Sequence, residues 1–171
     1  MTRCRLPPMS TVYSNANYNI ETESEDLKPR TFFGNVVDAK AAFDGVLTVQ
    51  TTNSASTCEI GAGFKADHVA MLSQVKFFMT DIDNLALYNG LLKFQGSNDN
   101  ATSTTWTDLY TADENIHEGW NYVDLNETGT MPKYRFYRIY ASTTTGCLVN
   151  EIKFTGVETV DNSDATYSCN V

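Results

Sequence analysis

Residues that could perform catalysis are few in this chain. Its two histidines are His68 and His117, and neither lies in a nucleophile motif such as G-x-S-x-G, which disfavours a serine or cysteine hydrolase. Asp and Glu total 21 residues, but no pair stands out as the two carboxylates of a glycoside hydrolase, whose common scaffolds are also larger. We therefore expect a binding protein rather than an enzyme.

The four cysteines do not have the spacing of a zinc site. The sequence contains no C-x-x-C, and two histidines are too few to complete a mixed Cys/His site. Four cysteines permit three disulfide pairings, and the sequence alone does not choose among Cys4, Cys58, Cys147 and Cys169.

Composition favours an extracellular or cell-surface (secreted) protein. The chain is rich in Thr, Ser and Asn and poor in Lys, and Asn100-Ala101-Thr102 and Asn126-Glu127-Thr128 are glycosylation acceptor triplets at Asn100 and Asn126. Met1 to Arg5 lacks the apolar stretch of a secretory signal, so we expect a domain excised from a longer chain, with neighbouring domains as further partners.

Chain length and net charge limit the number of domains and the kinds of partner that we expect. The 171 residues fit one domain, 1–171, with a core of its own. A formal net charge of -9 makes nucleic acid and anionic membrane surfaces unfavourable partners. No run is long and apolar enough for a membrane span, so we expect no direct membrane insertion.

A strand and turn lie at the centre of the chain. Leu92, Phe94 and Gly96 fall on one side of an extended run, with Lys93 and Gln95 on the other. Residues 96–100 are all turn formers, so the chain reverses there. Trp106 and Leu109 resume the apolar pattern, which indicates a neighbouring strand.

Other strands are predicted near residues 57–60, 70–79 and 134–140. In the last of these, Phe136 and Arg138 fall on one face and Arg135, Tyr137 and Ile139 on the other. An arginine with an inward-facing stem must either pair with a carboxylate, for which Asp108 and Asp124 are candidates, or extend its charged end to solvent. The acidic segment 21–28 is predicted to be a solvated loop. Without a helix of ordinary length, the pattern indicates an all-β sandwich.

Four motifs resemble those of discoidin-like domains, also called coagulation factor V/VIII type C domains, of the galactose-binding-domain-like superfamily. In chain order they are A-x-x-A-x-D-G at Ala39, F-x-G-S-N-D followed by W-T-x-L at Phe94, Y-R-F-Y-R-I at Tyr134 and E-I-x-F-x-G at Glu151. The resemblance is strongest over 39–156 and implies a jelly-roll β-sandwich of about eight antiparallel strands. It also implies that Trp120, in G-W-N, packs in the interior.

The same resemblance implies a structural calcium ion. In relatives the ion takes backbone carbonyls from the A-x-D-G loop, the side chains of its Asp and a following Thr, and a carboxylate near the start of the last strand. Here Asp44 and Glu151 match, and Thr48 matches if the loop is one residue shorter. Val46 replaces a polar loop residue and can offer a carbonyl alone, whereas Ca²⁺ takes six to eight oxygens.

Two disulfide bonds also follow from the resemblance. Domains of this kind bring their termini together, so Cys4 would pair with Cys169, leaving Cys58 to pair with Cys147.

The resemblance further implies carbohydrate recognition by loops at one end of the sandwich. The corresponding loops are 51–57, 81–90, 98–105 and 142–146, and the predicted ligand-binding residues are Tyr88, Asp83, Asn84 and Asn98. The alternative is an architectural domain of a larger extracellular assembly that contacts proteins without a glycan ligand. The membrane-binding branch of the family is disfavoured, because Leu85, Leu87 and Leu91 lack basic residues beneath them.

Overall fold

Strands dominate the fold of this chain. A computed structural model describes residues 25–48, 57–80, 90–99, 101–113, 116–127, 131–142, 147 and 149–161. Within these ranges lie ten strands and one short 3-10 helix, Ala39–Phe43: β1 Glu25–Leu27, β2 Thr31–Gly34, β3 Thr57–Gly63, β4 His68–Met79, β5 Leu92–Ser97, β6 Thr107–Thr111, β7 Gly119–Asp124, β8 Lys133–Tyr134, β9 Phe136–Ser142 and β10 Val149–Val160.

The strands form two antiparallel sheets. The first sheet has the order β1-β10-β4-β7, with β8 also paired to β4, and the second has the order β2-β3-β9-β5-β6. This architecture confirms the predicted all-β sandwich. In the described part of the chain, no helix is long and apolar enough to cross a membrane.

The core lies between the sheets and is rich in aromatic rings. Phe94 stacks on Tyr137 with ring centroids 5.6 Å apart, and Phe154 of the first sheet lies 5.9 Å from Tyr137. The buried Tyr137 hydroxyl donates to the Ala70 carbonyl at 2.6 Å. Burial raises the pKa of this phenol far above its usual range, so it remains a donor. That bond ties the second sheet to the first.

Alternation correctly predicted the two faces of β9. Tyr137 and Ile139 belong to the core, while Phe136 and Arg138 lie on the outer face of the second sheet. In β4, Leu72 and Val75 both belong to the core although they are three positions apart. A bulge where Thr155 and Gly156 oppose Gln74 and Leu72 shifts the register, so even and odd positions exchange faces.

The prediction of a loop for residues 21–28 is wrong for its last part. Glu25–Leu27 is β1, an edge strand paired with Gly156–Phe154 of β10. The acidic composition obscured the strand, because Leu27 is its one apolar residue and packs against the core margin. Backbone pairing to β10 accounts for the rest.

A disulfide joins Cys58 and Cys147, with the two Cα atoms 4.8 Å apart. Cys58 lies on β3 of the second sheet, and Cys147 lies two residues before the start of β10 of the first. The pairing is the one that the family resemblance implied, and it connects β3 to the segment that leads into β10. Cys4 and Cys169 lie outside the described residues.

Candidate functional site

Asp44 and Glu151 are brought together by the turn that follows the short helix. The turn bends at Gly45, whose φ of 84° is a left-handed conformation that suits glycine. The Gly45 N–H donates to Glu151 Oε1 at 3.0 Å, and the Asp44 Oδ1 accepts from the Val46 N–H at 2.8 Å. Asp44 itself is exposed.

Glu151 is a buried carboxylate rather than a surface one. Its side chain is 2% exposed, and its Oε2 atom is buried without a hydrogen-bond partner among the described residues. Burial raises the pKa of this carboxyl, as does the Asp44 charge, while the Gly45 N–H, the Lys153 charge and the Asp44 N–H lower it. A buried carboxylate oxygen without a hydrogen-bond donor is stabilised by protonation or by a bound cation.

The corner fits a hard cation in part. Glu151 Oε2 is free to ligate, and the carboxylate of Asp44 lies close enough to act on the Glu151 pKa. Thr48 is exposed and follows Leu47, whose carbonyl accepts from Asn150 at 2.9 Å, so the turn is fastened beside β10. No three His, Cys, Asp or Glu side chains converge anywhere in the described ranges. A cation here would need carbonyl, hydroxyl or water oxygens as well, which Ca²⁺ accepts.

Three of the four predicted ligand-binding residues, Tyr88, Asp83 and Asn84, lie outside the described residues. Asn98 is described, and its Oδ1 accepts from the Arg135 N–H at 3.0 Å. It follows the end of β5, whereas Gly90, at the end of the 81–90 loop, precedes the start of that strand. The expectation that the 81–90 and 98–105 loops lie at one end of the sandwich is therefore wrong, because β5 separates Gly90 from Asn98. Residue spacing does not give the position of a loop relative to the strand direction.

A groove of about 320 Å³ lies on the outer face of the second sheet. One wall is the end of β2 with Gly34 and Asn35, and the other is the 101–103 segment. Phe33, Glu59 and Arg138 complete its lining. The amide of Asn35 holds its wall in place, because Nδ2 donates to the Thr57 carbonyl at 2.9 Å and Oδ1 accepts from the Glu59 N–H at 2.8 Å.

Arg138 is the fixed charge of this groove. Its Nη1 lies 2.8 Å from Glu59 Oε1, and its Nε donates to Gln95 Oε1 at 2.7 Å. The guanidinium also lies 4.1 Å from the centroid of Trp106 and 4.8 Å from that of Tyr140. Stacking and hydrogen bonds hold the charge in one orientation.

Neither of the predicted carboxylate partners, Asp108 and Asp124, forms an ion pair with Arg138 of β9. Arg138 pairs with Glu59, on the neighbouring strand, and not with Asp108 or Asp124. Asp108 instead accepts from Gln95 and from Lys93, each at 2.6 Å, and these bonds lower its pKa. Asp124 caps a turn by accepting from the Asn126 N–H at 2.8 Å. Glu59 is the partner because β3 pairs with β9, a pairing that the sequence pattern does not predict.

Trp120 lies on the outer face of the first sheet, so the expectation of an interior position is wrong. In β7 the inward positions belong to Asn121 and Val123, both buried, while Tyr122 is 62% exposed. The Asn121 amide donates to the His117 carbonyl at 2.8 Å and accepts from its N–H at 3.0 Å. The turn before β7 thus fixes the asparagine inward and its neighbouring indole outward.

The sequons and the groove show what residue patterns miss. Asn126 is exposed, as a glycosylation acceptor must be, and Asn100 lies outside the described residues. The groove residues come from β2, β3, β9 and a loop, so no local motif contains them. The residues that could have indicated the groove were Trp106 and Arg138, which were interpreted as parts of alternating strands.

Comparison with known proteins gives structural neighbours, while no family model and no curated protein sequence matches the chain. The CBM62 module of Clostridium thermocellum Xyl5A has a TM-score of 0.62 and 21% identity, covering 78% of this chain and 98% of that one. Chitosan-binding module 1 of a Paenibacillus sp. IK-5 chitosanase/glucanase has a TM-score of 0.53 and 20% identity, covering 75% and 96%.

The third neighbour carries the predicted family name. The F5/8 type C domain of a Bacteroides fragilis protein has a TM-score of 0.53 and 12% identity, covering 78% of this chain and 96% of that one. Identities this low establish fold alone. This chain has the antiparallel β-sandwich fold of these carbohydrate-binding modules and of the F5/8 type C domain.

Proposed function

We propose that this chain is a non-catalytic carbohydrate-binding module that acts outside the cell or at its surface. Carbohydrate is the ligand class of the modules from Clostridium thermocellum and Paenibacillus that share its fold. The observation that carries the proposal is the preorganised Arg138–Glu59 pair in the groove beside Phe33. The disulfide between Cys58 and Cys147 supports an oxidising compartment.

The groove has the chemistry that a saccharide needs. A sugar ring presents hydroxyl groups that both donate and accept, and a guanidinium beside a carboxylate offers both partners. The half-buried Phe33 provides an apolar surface for the C–H face of the ring. At about 320 Å³, the groove is at the small end of ligand pockets, so we expect one or two sugar rings to enter it.

The groove is tested by Glu59→Gln, which keeps the shape of the side chain and removes its charge. We expect affinity for a neutral glycan to fall by about 10- to 100-fold, since hydrogen bonds to charged groups contribute roughly 1.5 to 3 kcal/mol. A glycan array selects the ligand, and isothermal titration then compares the variant with the unmodified protein.

Glu158→Gln is the matched control for this experiment, because it makes the same change on β10 of the other sheet. Glu158 does not line the groove, so its replacement should leave glycan affinity unchanged. Equal losses in both variants would assign the effect to the change in net charge and not to the groove. Absence of binding across diverse glycans, with a stable protein partner recovered instead, would favour the architectural role.

We also propose that the corner at Asp44 and Glu151 holds a structural calcium ion. Support comes from the buried, unpartnered Oε2 of Glu151 and the exposed carboxylate of Asp44 beside it. Removing calcium from saturated protein should lower stability by about 2.7 kcal/mol if calcium had been present at 100 times its dissociation constant. Thermal unfolding in chelator and in calcium measures the difference.

The pH dependence gives this test a second readout. The pKa of Glu151 is raised on folding, so the folded state binds its proton more readily than the unfolded chain. In chelator, stability should therefore fall as pH rises from the unfolded-state pKa through the raised folded-state pKa. Calcium should restore the stability above that window.

Two variants separate the cation from the carboxylate in this experiment. Glu151→Gln should lose both the calcium response and the pH-dependent fall, because the neutral amide neither binds calcium strongly nor ionises. Asp44→Ala should lose the calcium response yet keep the fall. A melting curve that is identical in calcium and chelator would refute the proposed ion.

A further inference from the structure

A cluster of two lysines and two aromatic rings lies on the outer face of the first sheet. We call it the lysine–indole surface, and it consists of Lys76 on β4, Lys153 on β10, and Trp120 and Tyr122 on β7. The Nζ atoms of Lys76 and Lys153 lie 5.3 and 5.5 Å from the centroid of the same indole ring, that of Trp120. Phe78 supports the indole edge-on, with ring centroids 5.3 Å apart.

The two lysines are an unfavourable pair in the protein alone. Lys153 lies directly opposite Lys76 in the β10–β4 register, and like charges in such cross-strand positions destabilise a sheet. The ion pairs among the described residues are Lys93–Asp108 and Arg138–Glu59, so neither lysine has a carboxylate within ion-pair distance there. The indole offsets part of this repulsion, since each ammonium lies within cation–π range.

The nearest described carboxylates do not form ion pairs with these lysines. Glu151, two positions before Lys153, is 2% exposed, and its Oε1 accepts from the Gly45 N–H, although the Lys153 charge acts on its pKa. Asp124 lies in the next row of β7, and Asp26 lies on the edge strand β1. The lysine–indole surface therefore presents two ammonium groups without ion pairs among the described residues, with carboxylates at its borders.

The aromatic part selects the kind of anion. Tyr122 is 62% exposed and lies opposite Lys76, and Trp120 is half-buried, so two rings border the charges on a sheet face. Aromatic rings bind the C–H faces of sugars, and the ammonium groups attract a carboxylate. An anion without an apolar face, such as phosphate, would leave the exposed Tyr122 ring unused.

We propose that the lysine–indole surface is a second binding site, specific for a saccharide that carries uronic acid carboxylates. It goes beyond the groove on the opposite sheet and shares no residue with it. The inference rests on the proposed carbohydrate-binding function for its class of ligand but not on the groove for its site.

The probe for this site is an oligosaccharide of three galacturonic acid residues, compared with its full methyl ester at constant calcium. The acid should bind and the ester, which has the same sugar rings without charge, should not. Lys76→Ala and Lys153→Ala should each weaken binding by about fivefold, as expected for exposed charge pairs. Trp120→Ala should weaken it by about tenfold, through the lost ring contact. Titration calorimetry at about 0.05 M salt measures the affinities.

Lys133→Ala is the matched control, because Lys133 is an exposed lysine of β8 in the same sheet. It should leave affinity unchanged, and melting curves verify that the lysine variants fold. Equal binding of acid and ester, or an equal loss in Lys133→Ala, would overturn the site. If Glu59→Gln abolishes binding of the acid and the two lysine variants do not, the acid binds in the groove. That result would overturn the second site and leave the proposed function standing. Failure of every glycan would refute both.

Discussion

Replacing both Cys58 and Cys147 with alanine is expected to lower the free energy of unfolding by about 4 to 5 kcal/mol. The bond closes a loop with a sequence separation of 89, and in the chain-entropy model a loop of that length restricts the unfolded chain by this amount. Alanine is the suitable replacement because both cysteines are buried, at 0% and 2% exposed, and a serine hydroxyl would need a partner there.

Urea denaturation of the double variant measures the loss. Treating the unmodified protein with a reductant should lower its stability by at least as much, and any loss that the reductant causes in the double variant reports the Cys4–Cys169 bond. Cys4→Ala/Cys169→Ala is a parallel variant that tests the second pairing implied by family resemblance. A loss below about 1 kcal/mol in Cys58→Ala/Cys147→Ala would contradict the entropic argument, because loop length alone predicts several times more.

The strands of the core were the most predictable part of this fold. Phe94 and Phe154 are 1% and 2% exposed and both belong to the core, as alternation in their strands indicated. Phe136 is also buried, at 7%, but on the outer face, where Phe33 and the Arg135 guanidinium cover it. Period-2 reasoning gives the face of a residue, whereas its burial depends on what other strands place above it.

Sequence periodicity is least informative where the register changes. One bulge between β4 and β10 brings Leu72 and Val75, three positions apart, to the same core face. The arginine partner failed for a related reason, because Glu59 and Arg138 are 79 residues apart and meet through the β3–β9 pairing. Neither a bulge nor a cross-strand neighbour has a local sequence signature.

A candidate site was predictable from the sequence where its residues belong to short, recognisable motifs. Asp44 belongs to a short motif and Glu151 to another, so a family resemblance could pair them before the fold was known. The groove and the lysine–indole surface contain residues from separate strands, so no local motif includes them. The predicted ligand site lay in loops that are poor in aromatic residues, whereas the aromatic residues of these two sites lie on the sheet faces. Trp106 and Trp120 are the two tryptophans of the chain, and each lies beside a cation on one of those faces.

The two tryptophans differ in how their cations are balanced. Arg138 over Trp106 is paired with Glu59 and held by Gln95, so that face carries a compensated charge and suits a neutral ligand. The lysines over Trp120 have no carboxylate within ion-pair distance in the described part of the chain, so that face suits an anion. The same fold thus presents two faces of opposite selectivity, which the charge of the ligand would distinguish.

Gly156→Ala is expected to destabilise the protein by about 3 kcal/mol or more, the upper part of the range for overpacking. Gly156 on β10 lies opposite the bulge of β4, where it pairs with Leu72 on one side and with Glu25 of β1 on the other. A Cβ atom there would overlap the carbonyl oxygen of Met71 and lie 2.9 Å from the Leu72 Cα. Both are backbone atoms, so relief requires moving the pairing of the two longest strands.

Gly61→Ala is the matched control for Gly156→Ala, because it adds the same methyl group to a central strand. The atoms nearest its Cβ belong to the ring of Phe33, a half-buried side chain that can rotate toward solvent. We expect a cost of about 1 kcal/mol, the lower part of the same range. Urea denaturation with an unchanged m-value measures both variants. Equal costs would mean that β10 shifts as easily as one ring turns, and the bulge would then not be the rigid junction of the first sheet.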